Sequence, residues 1–270
     1  MARRSNKTNV RQLDLFTASP VTPPIGQPEP PPPQQPLIAP AELGDADLLH
    51  ALARANFQNV ADVADEVCKR RPDGWEAASM ELWNRFRGFG VKKAMREQQV
   101  VLDLALQTKS RHLLQQVMAN GPIGQFLDAE LLLAAAACYV PVPQEVVDRG
   151  LLHASEKVRY AAIKVAILSG IPTEHIQPYL SDRSAMVRRG TAVVLAEAGD
   201  VKARDALLAQ MREQPDLEGL EALGFIVNEE VVIRLGQIAR LHPDWAPMVI
   251  GILEDIGGST ARKVAAGLIG

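Results

Sequence analysis

Leu151-Leu152-His153-Ala154-Ser155-Glu156-Lys157-Val158-Arg159 is answered further on by Leu180-Ser181-Asp182-Arg183-Ser184-Ala185-Met186-Val187-Arg188. A shift of 29 residues carries Leu151 onto Leu180, Ser155 onto Ser184 and Val158-Arg159 onto Val187-Arg188. The same shift carries Val165 onto Val194 and Gly170 onto Gly199. Each copy reads as a helix, a short turn at serine, then a second helix opened by Val-Arg and closed by glycine. A period of this length marks one supersecondary unit repeated along the chain.

Outward from the repeat, everything beyond about residue 44 reads as helix, broken every 10–15 residues by short punctuation. Asp45 and Asn59 stand where they can cap helices carrying Leu48, Leu49 and Leu52, and Val60, Val63, Ala64 and Val67. Met80, Trp83 and Phe86 form a stripe at spacings of three, stopped by Gly88 and Gly90. Val91 to Gln107 follows, and Ser110 can cap the next helix. Asp128 opens Leu131 to Val140, apolar nearly all round and so expected at the centre of the fold. No stretch sustains the two-residue alternation of a half-buried strand. The apolar stock, 47% of the chain, is Ala, Leu and Val, with three Trp, three Tyr and six Phe, which favours close helix packing.

The paired helices with Ser, Val-Arg and Gly at fixed places resemble a HEAT-type repeat. The continuation Ala196-Glu197-Ala198-Gly199-Asp200 into Ala206-Leu207-Leu208 is similar to the short, HEAT-like variety. The clear resemblance covers roughly residues 144–240, whereas 44–140 share only the rhythm. One helix pair cannot bury its apolar face alone, so the resemblance implies stacking into an α-solenoid. The expected fold class is all-α: an N-terminal helical region over 44–140 and HEAT-like repeats over 141–270, preceded by a disordered proline-rich tail. In this repeat type the Val-Arg position usually serves the stack. Asp182, six residues before Arg188, is placed to supply that arginine's carboxylate, and Arg189 is the more open of the three arginines.

The tail divides into an arm, residues 1–19, and a linker, residues 20–41. The arm holds Arg3, Arg4, Lys7 and Arg11 against Asp14 alone. Ten prolines fall between Pro20 and Pro40. Such a linker favours polyproline II and at ~3.1 Å per residue spans several tens of ångströms. Gln12-Leu13-Asp14-Leu15-Phe16 therefore strands three apolar side chains on an arm with no local core, as a segment built to be buried in a partner does. All five residues resemble the motif by which bacterial replication and repair proteins dock on the β sliding clamp. At average residue usage the string arises by chance in roughly one chain per thousand of this size. The resemblance implies Leu15 and Phe16 as anchors, Gln12 bonding at the pocket rim, Leu13 in lesser contact and Asp14 exposed.

Chemistry has few footholds. His50, His112, His153, His175 and His242 show no metal-binding spacing, and Cys68 and Cys138 form neither a zinc set nor a disulfide framework. No G-x-S-x-G elbow or P-loop is present. Gly88-Phe89-Gly90-Val91-Lys92-Lys93 follows a helix and lacks the third glycine of a phosphate loop. Arg85, Arg87, Lys92, Lys93 and Arg96, interleaved with Trp83, Phe86 and Phe89, read two ways. They suit phosphate contact with base stacking, or, the weightier reading, the aromatics fill the core while the cations coat a solvated face. HEAT-like DNA glycosylases and bilin lyases set two enzyme alternatives. Trp75 with Glu76, or Trp83 with Glu81, would have to serve the first, and nothing implies a tetrapyrrole for the second. With a net charge of −3, no opening signal-peptide pattern and no membrane-length apolar run, a cytoplasmic protein is expected. The expectation is a non-enzymatic adaptor without cofactor or metal. It docks on the clamp through residues 12–16, offers the solenoid face to another protein, and makes weak or indirect DNA contact. The competing expectation is a protein-binding scaffold unrelated to DNA.

Overall fold

Gly170 and Gly199 adopt positive φ, 79° and 75°, and each ends a helix in the same way. Ile171 donates its N–H to Ala166 O at 3.0 Å, and Asp200, one repeat on, donates to Leu195 O at 2.8 Å. This is the six-to-one bond of a Schellman stop, which needs a left-handed residue just past the helix. The computed structural model of the chain describes residues 39–86, 91–121 and 123–269, with backbone alone for 91–94. Residues 39–270 form one unit. Its α-helices run α1 Asp45–Ala53, α2 Val60–Arg70, α3 Trp75–Phe86, α4 Val91–Thr108, α5 Arg111–Ala119, α6 Asp128–Cys138, α7 Gln144–Leu151 and α8 Glu156–Ala166. They continue as α9 Thr173–Ile176, α10 Ala185–Glu197, α11 Ala203–Glu213, α12 Leu217–Leu223, α13 Glu229–Leu241, α14 Ala246–Ile256 and α15 Gly258–Ile269. Among the described residues there is no strand, and no helix is long and apolar enough to cross a membrane.

Of the caps expected at Asp45, Asn59 and Ser110, only the last forms, and the other two side chains are redirected. Ser110 Oγ accepts Leu113 N–H at 3.0 Å, capping α5. Asp216 and Asn228 do the same for α12 and α13, at 2.7 and 2.8 Å. Asp45 does not cap α1. It lies inside the helix, and its carboxylate pairs with Arg70, whose Nη1 also donates to Leu43 O at 2.7 Å. Asn59 occupies the N-cap of α2, but its Oδ1 accepts the backbone N–H of Asn56 at 2.9 Å, closing the preceding turn.

The arginine of the repeat is a fastener. Arg159 is buried and donates from Nη1 to the carbonyls of His153 and Ala154, both at 2.9 Å. Arg188 makes the equivalent bonds, Nη1 to the carbonyls of Asp182 and Arg183 at 2.8 and 3.2 Å. One expectation is corrected here. The Asp182 carboxylate serves the preceding repeat, receiving Arg159 Nε at 2.9 Å and Nη2 at 2.8 Å, while Arg188 takes only the Asp182 backbone. Those bonds hold the Asp182 carboxyl below the usual carboxylate range, against the opposing effect of its burial.

Packing follows the chain. α4 lies on α6, α6 on α8, α8 on α10 and α10 on α12, while α7 and α11 flank them; toward the ends α1 meets α3 and α13 meets α15. One apolar core runs through all of them, from Leu48 to Ala265. Residues 44–140 obey the same stop rule with different residues. Lys109 and Tyr139 take φ of 54° and 52°, and Ser110 N–H and Val140 N–H return to Ala105 O and Ala135 O, both at 3.1 Å.

Candidate functional site

The clamp-like residues Gln12, Leu13, Asp14, Leu15 and Phe16 lie outside the described residues, as do Arg87 and Phe89; Lys92 and Lys93 are described by backbone only. The rest of the basic-aromatic segment divides. Arg85 gives Nη1 to Ala53 O at 2.7 Å, gives Nη2 to Ala55 O, and lies 4.8 Å over the Phe86 ring. It ties the end of α3 to the end of α1. Trp83 is in the core. Arg96 is exposed and stacks 4.7 Å over Phe57, an aromatic 62% exposed in the loop before α2. So Trp83 goes inward and Phe86 is half-buried beneath Arg85, while Phe57, the exposed aromatic that meets a cation, comes from elsewhere in the chain.

Other candidates for chemistry hold the structure together. Glu76 accepts from Ser110 Oγ and lies 2.7 Å from His112 Nδ1, joining α3 to the start of α5. Burial alone would raise its carboxyl, but these two bonds outweigh it and lower it. Burial pushes the Cys138 thiol up, and its Sγ faces Ala105 O at 3.5 Å. A thiol so placed is a poor nucleophile. Among the described residues, no group of His, Cys, Asp and Glu is placed to hold a metal ion.

Two adjoining grooves open over the row of α6, α8, α10 and α12. One, of about 380 Å³, has Leu133, Ala136, Ala137 and Ala161 in its floor and Lys157 and Lys164 among its lining. The next, about 510 Å³, is lined by Arg188, Arg189, Gln210, Glu213 and Glu218 among others, and Tyr160 and Met186 border both. Lys164 Nζ bonds Glu218 Oε1 at 2.6 Å and lies 5.6 Å over the Tyr160 ring. Burial opposes its charge, yet the Glu218 bond raises the ammonium's pKa. Arg189 pairs with Asp216. Gln210, in the same lining, has its Oε1 buried with no hydrogen-bond partner. The arrangement can bind an amphipathic segment: an apolar strip with fixed charges along it and an amide in its wall.

These residues are assembled from five helices and carry no shared spacing. The available signal was α6. Its apolar character all round is explained by burial of Leu131, Leu132, Ala134, Ala135 and Cys138, while Leu133, Ala136 and Ala137 are left half-buried at the groove. Compared with known proteins, the chain matches no family model and no curated protein.

Proposed function

We propose that this chain is a non-enzymatic adaptor: a HEAT-like α-solenoid joined by a proline-rich linker to a peptide that docks on the bacterial β sliding clamp. The observation that carries the reading is Gln12-Leu13-Asp14-Leu15-Phe16, a complete clamp-type pentapeptide on a basic, polar arm followed by a proline-rich linker. The solenoid part is supported by the recurrence of the Arg159 and Arg188 bonds at identical offsets and by packing confined to near neighbours in the chain. The non-enzymatic part is supported by the way Arg159, Asp182, Glu76 and Arg85 are committed to holding helices. Leu15 and Phe16 enter the clamp's apolar pocket, Gln12 bonds at its rim, and the helical body is delivered to DNA-bound clamps with a second protein partner on its grooved face.

A peptide covering residues 8–20 is expected to bind purified clamp with micromolar-range affinity, about −8 kcal/mol, because few side chains are anchored and the peptide must order. Replacing Leu15 and Phe16 together with Ala empties the pocket and removes binding, in the peptide and in a clamp pull-down with the full chain. Full affinity in the double variant would sink the clamp reading and leave the scaffold without a DNA connection.

A further inference from the structure

Where the turn between α12 and α13 meets α14, the surface is both apolar and acidic. Phe225, in that turn, is 62% exposed. With Val227, Ile252 and Ile256 it lines a groove of about 540 Å³, and Glu221 and Asp255 belong to the same lining. The acidity continues onto α10. Glu197 is pushed up by burial, against the opposing charge of Lys164, and the charges of Glu218 and Glu221 add to the rise, so the three carboxylates share one stretch of surface. Of the cations nearby, Lys164 is paired with Glu218, while Arg204 is tied by its Nε to the Ile226 carbonyl at 3.1 Å and keeps its charge.

An exposed phenylalanine in an apolar groove is an interaction surface. Carboxylates beside it decide the sign of what can settle there, because like charges brought together at an interface are costly. A phosphate backbone or an acidic peptide is repelled. A segment with an apolar side chain between lysines or arginines satisfies the groove floor and the carboxylates together. We propose that this groove docks a basic segment of a partner protein, its apolar anchor lying against Phe225 and Ile252 and its flanking cations at Glu221 and Asp255. The proposal deepens the adaptor reading by giving the chemistry of the second partner, and rests on that reading only for its place in the cell.

The test pans the immobilised full-length chain against a display library of random dodecapeptides and titrates a synthetic copy of an enriched peptide. Enrichment of sequences with an apolar residue flanked by Lys or Arg is expected. Binding of the synthetic peptide should weaken with added salt. It should fall by roughly tenfold or more in Glu221→Gln/Asp255→Asn and again in Phe225→Ala. Both variants change exposed side chains and keep the core. Leu15→Ala/Phe16→Ala should bind the peptide as the unaltered chain does, so failure of clamp docking and failure of the groove are read separately. No enrichment, enrichment of acidic or uncharged peptides, or affinity indifferent to both groove variants would overturn the proposal.

Discussion

Replacing Arg159 with Met keeps an unbranched apolar stem and removes its four hydrogen bonds. The Asp182 carboxylate then loses both bonds from Arg159 and keeps only the Ser184 N–H, the His153 carbonyl loses its donor, and the Ala154 carbonyl keeps only Arg183 Nη2. The side chains of Arg159 and Asp182 are only 6% and 9% exposed, so water does not simply replace the lost partner. Removing one member of a buried pair costs about 3–5 kcal/mol. Here little depth of protein covers the pair, which admits some screening and selects the lower end, about 3 kcal/mol. Arg188→Met is the internal control: it removes bonds to two carbonyls without orphaning a carboxylate, and should cost about 1 kcal/mol. Urea unfolding followed by circular dichroism at pH 7 measures both. With a slope near ~3 kcal/mol per molar, Arg159→Met should move the midpoint down by about 1 M. The pH dependence has a definite sign. Asp182 is held lower when folded than unfolded, so its contribution is complete above the unfolded carboxylate value, near ~3.9, and is lost as pH falls through the folded value. Equal midpoints for the two variants, or an Arg159→Met midpoint within ~0.2 M of the unaltered chain, would refute the inter-repeat fastener.

Two further substitutions probe the backbone and the packing. Lys109→Gly relieves a left-handed residue that is exposed and has φ of 54°; relief of about 1–2 kcal/mol against the added freedom of the unfolded chain should leave the urea midpoint raised by up to ~1 kcal/mol equivalent, and a fall would show that the lysine side chain has a role at that turn. Gly150→Ala, in α7, would set its new methyl 2.3 Å from Leu132 Cδ1 and 3.0 Å from Ala162 Cβ; overpacking should exceed the gain in helix propensity and lower stability by about 1–2 kcal/mol, whereas a stabilised protein would mean that the Leu132 side chain moves aside easily.

The repeat was legible because its hydrogen bonds demand particular residues. A left-handed stop favours glycine, and two carbonyls five and six residues back favour an arginine, so Gly170, Gly199, Arg159 and Arg188 recur in the sequence as they do in the structure. What Asp182 does was not legible. Its side chain reaches into the preceding repeat, and nothing in the local spacing separates that bond from one to Arg188. The N-terminal half hid its kinship to the same rule by placing Lys109 and Tyr139 where glycine is expected. The grooves were hidden for a different reason: five helices each contribute a few side chains, and only the apolar circumference of α6 hinted that one of its faces served something other than the core.

The placement of charge separates two tasks that the composition alone had merged. On the helical body, Arg85, Arg159, Arg188 and Arg189 are bound to carbonyls or to Asp182 and Asp216, and a guanidinium so engaged releases few counterions from a phosphate backbone. The face over α10, α12 and α14 adds carboxylates that repel that backbone. Among the described side chains, Arg96 is an exposed cation stacked on the exposed Phe57. An excess of positive charge remains on residues 1–19, around the pentapeptide. In the adaptor reading, then, localisation to DNA is the work of the arm and its clamp, and the body is left free to select a partner of the opposite charge to its own acidic groove.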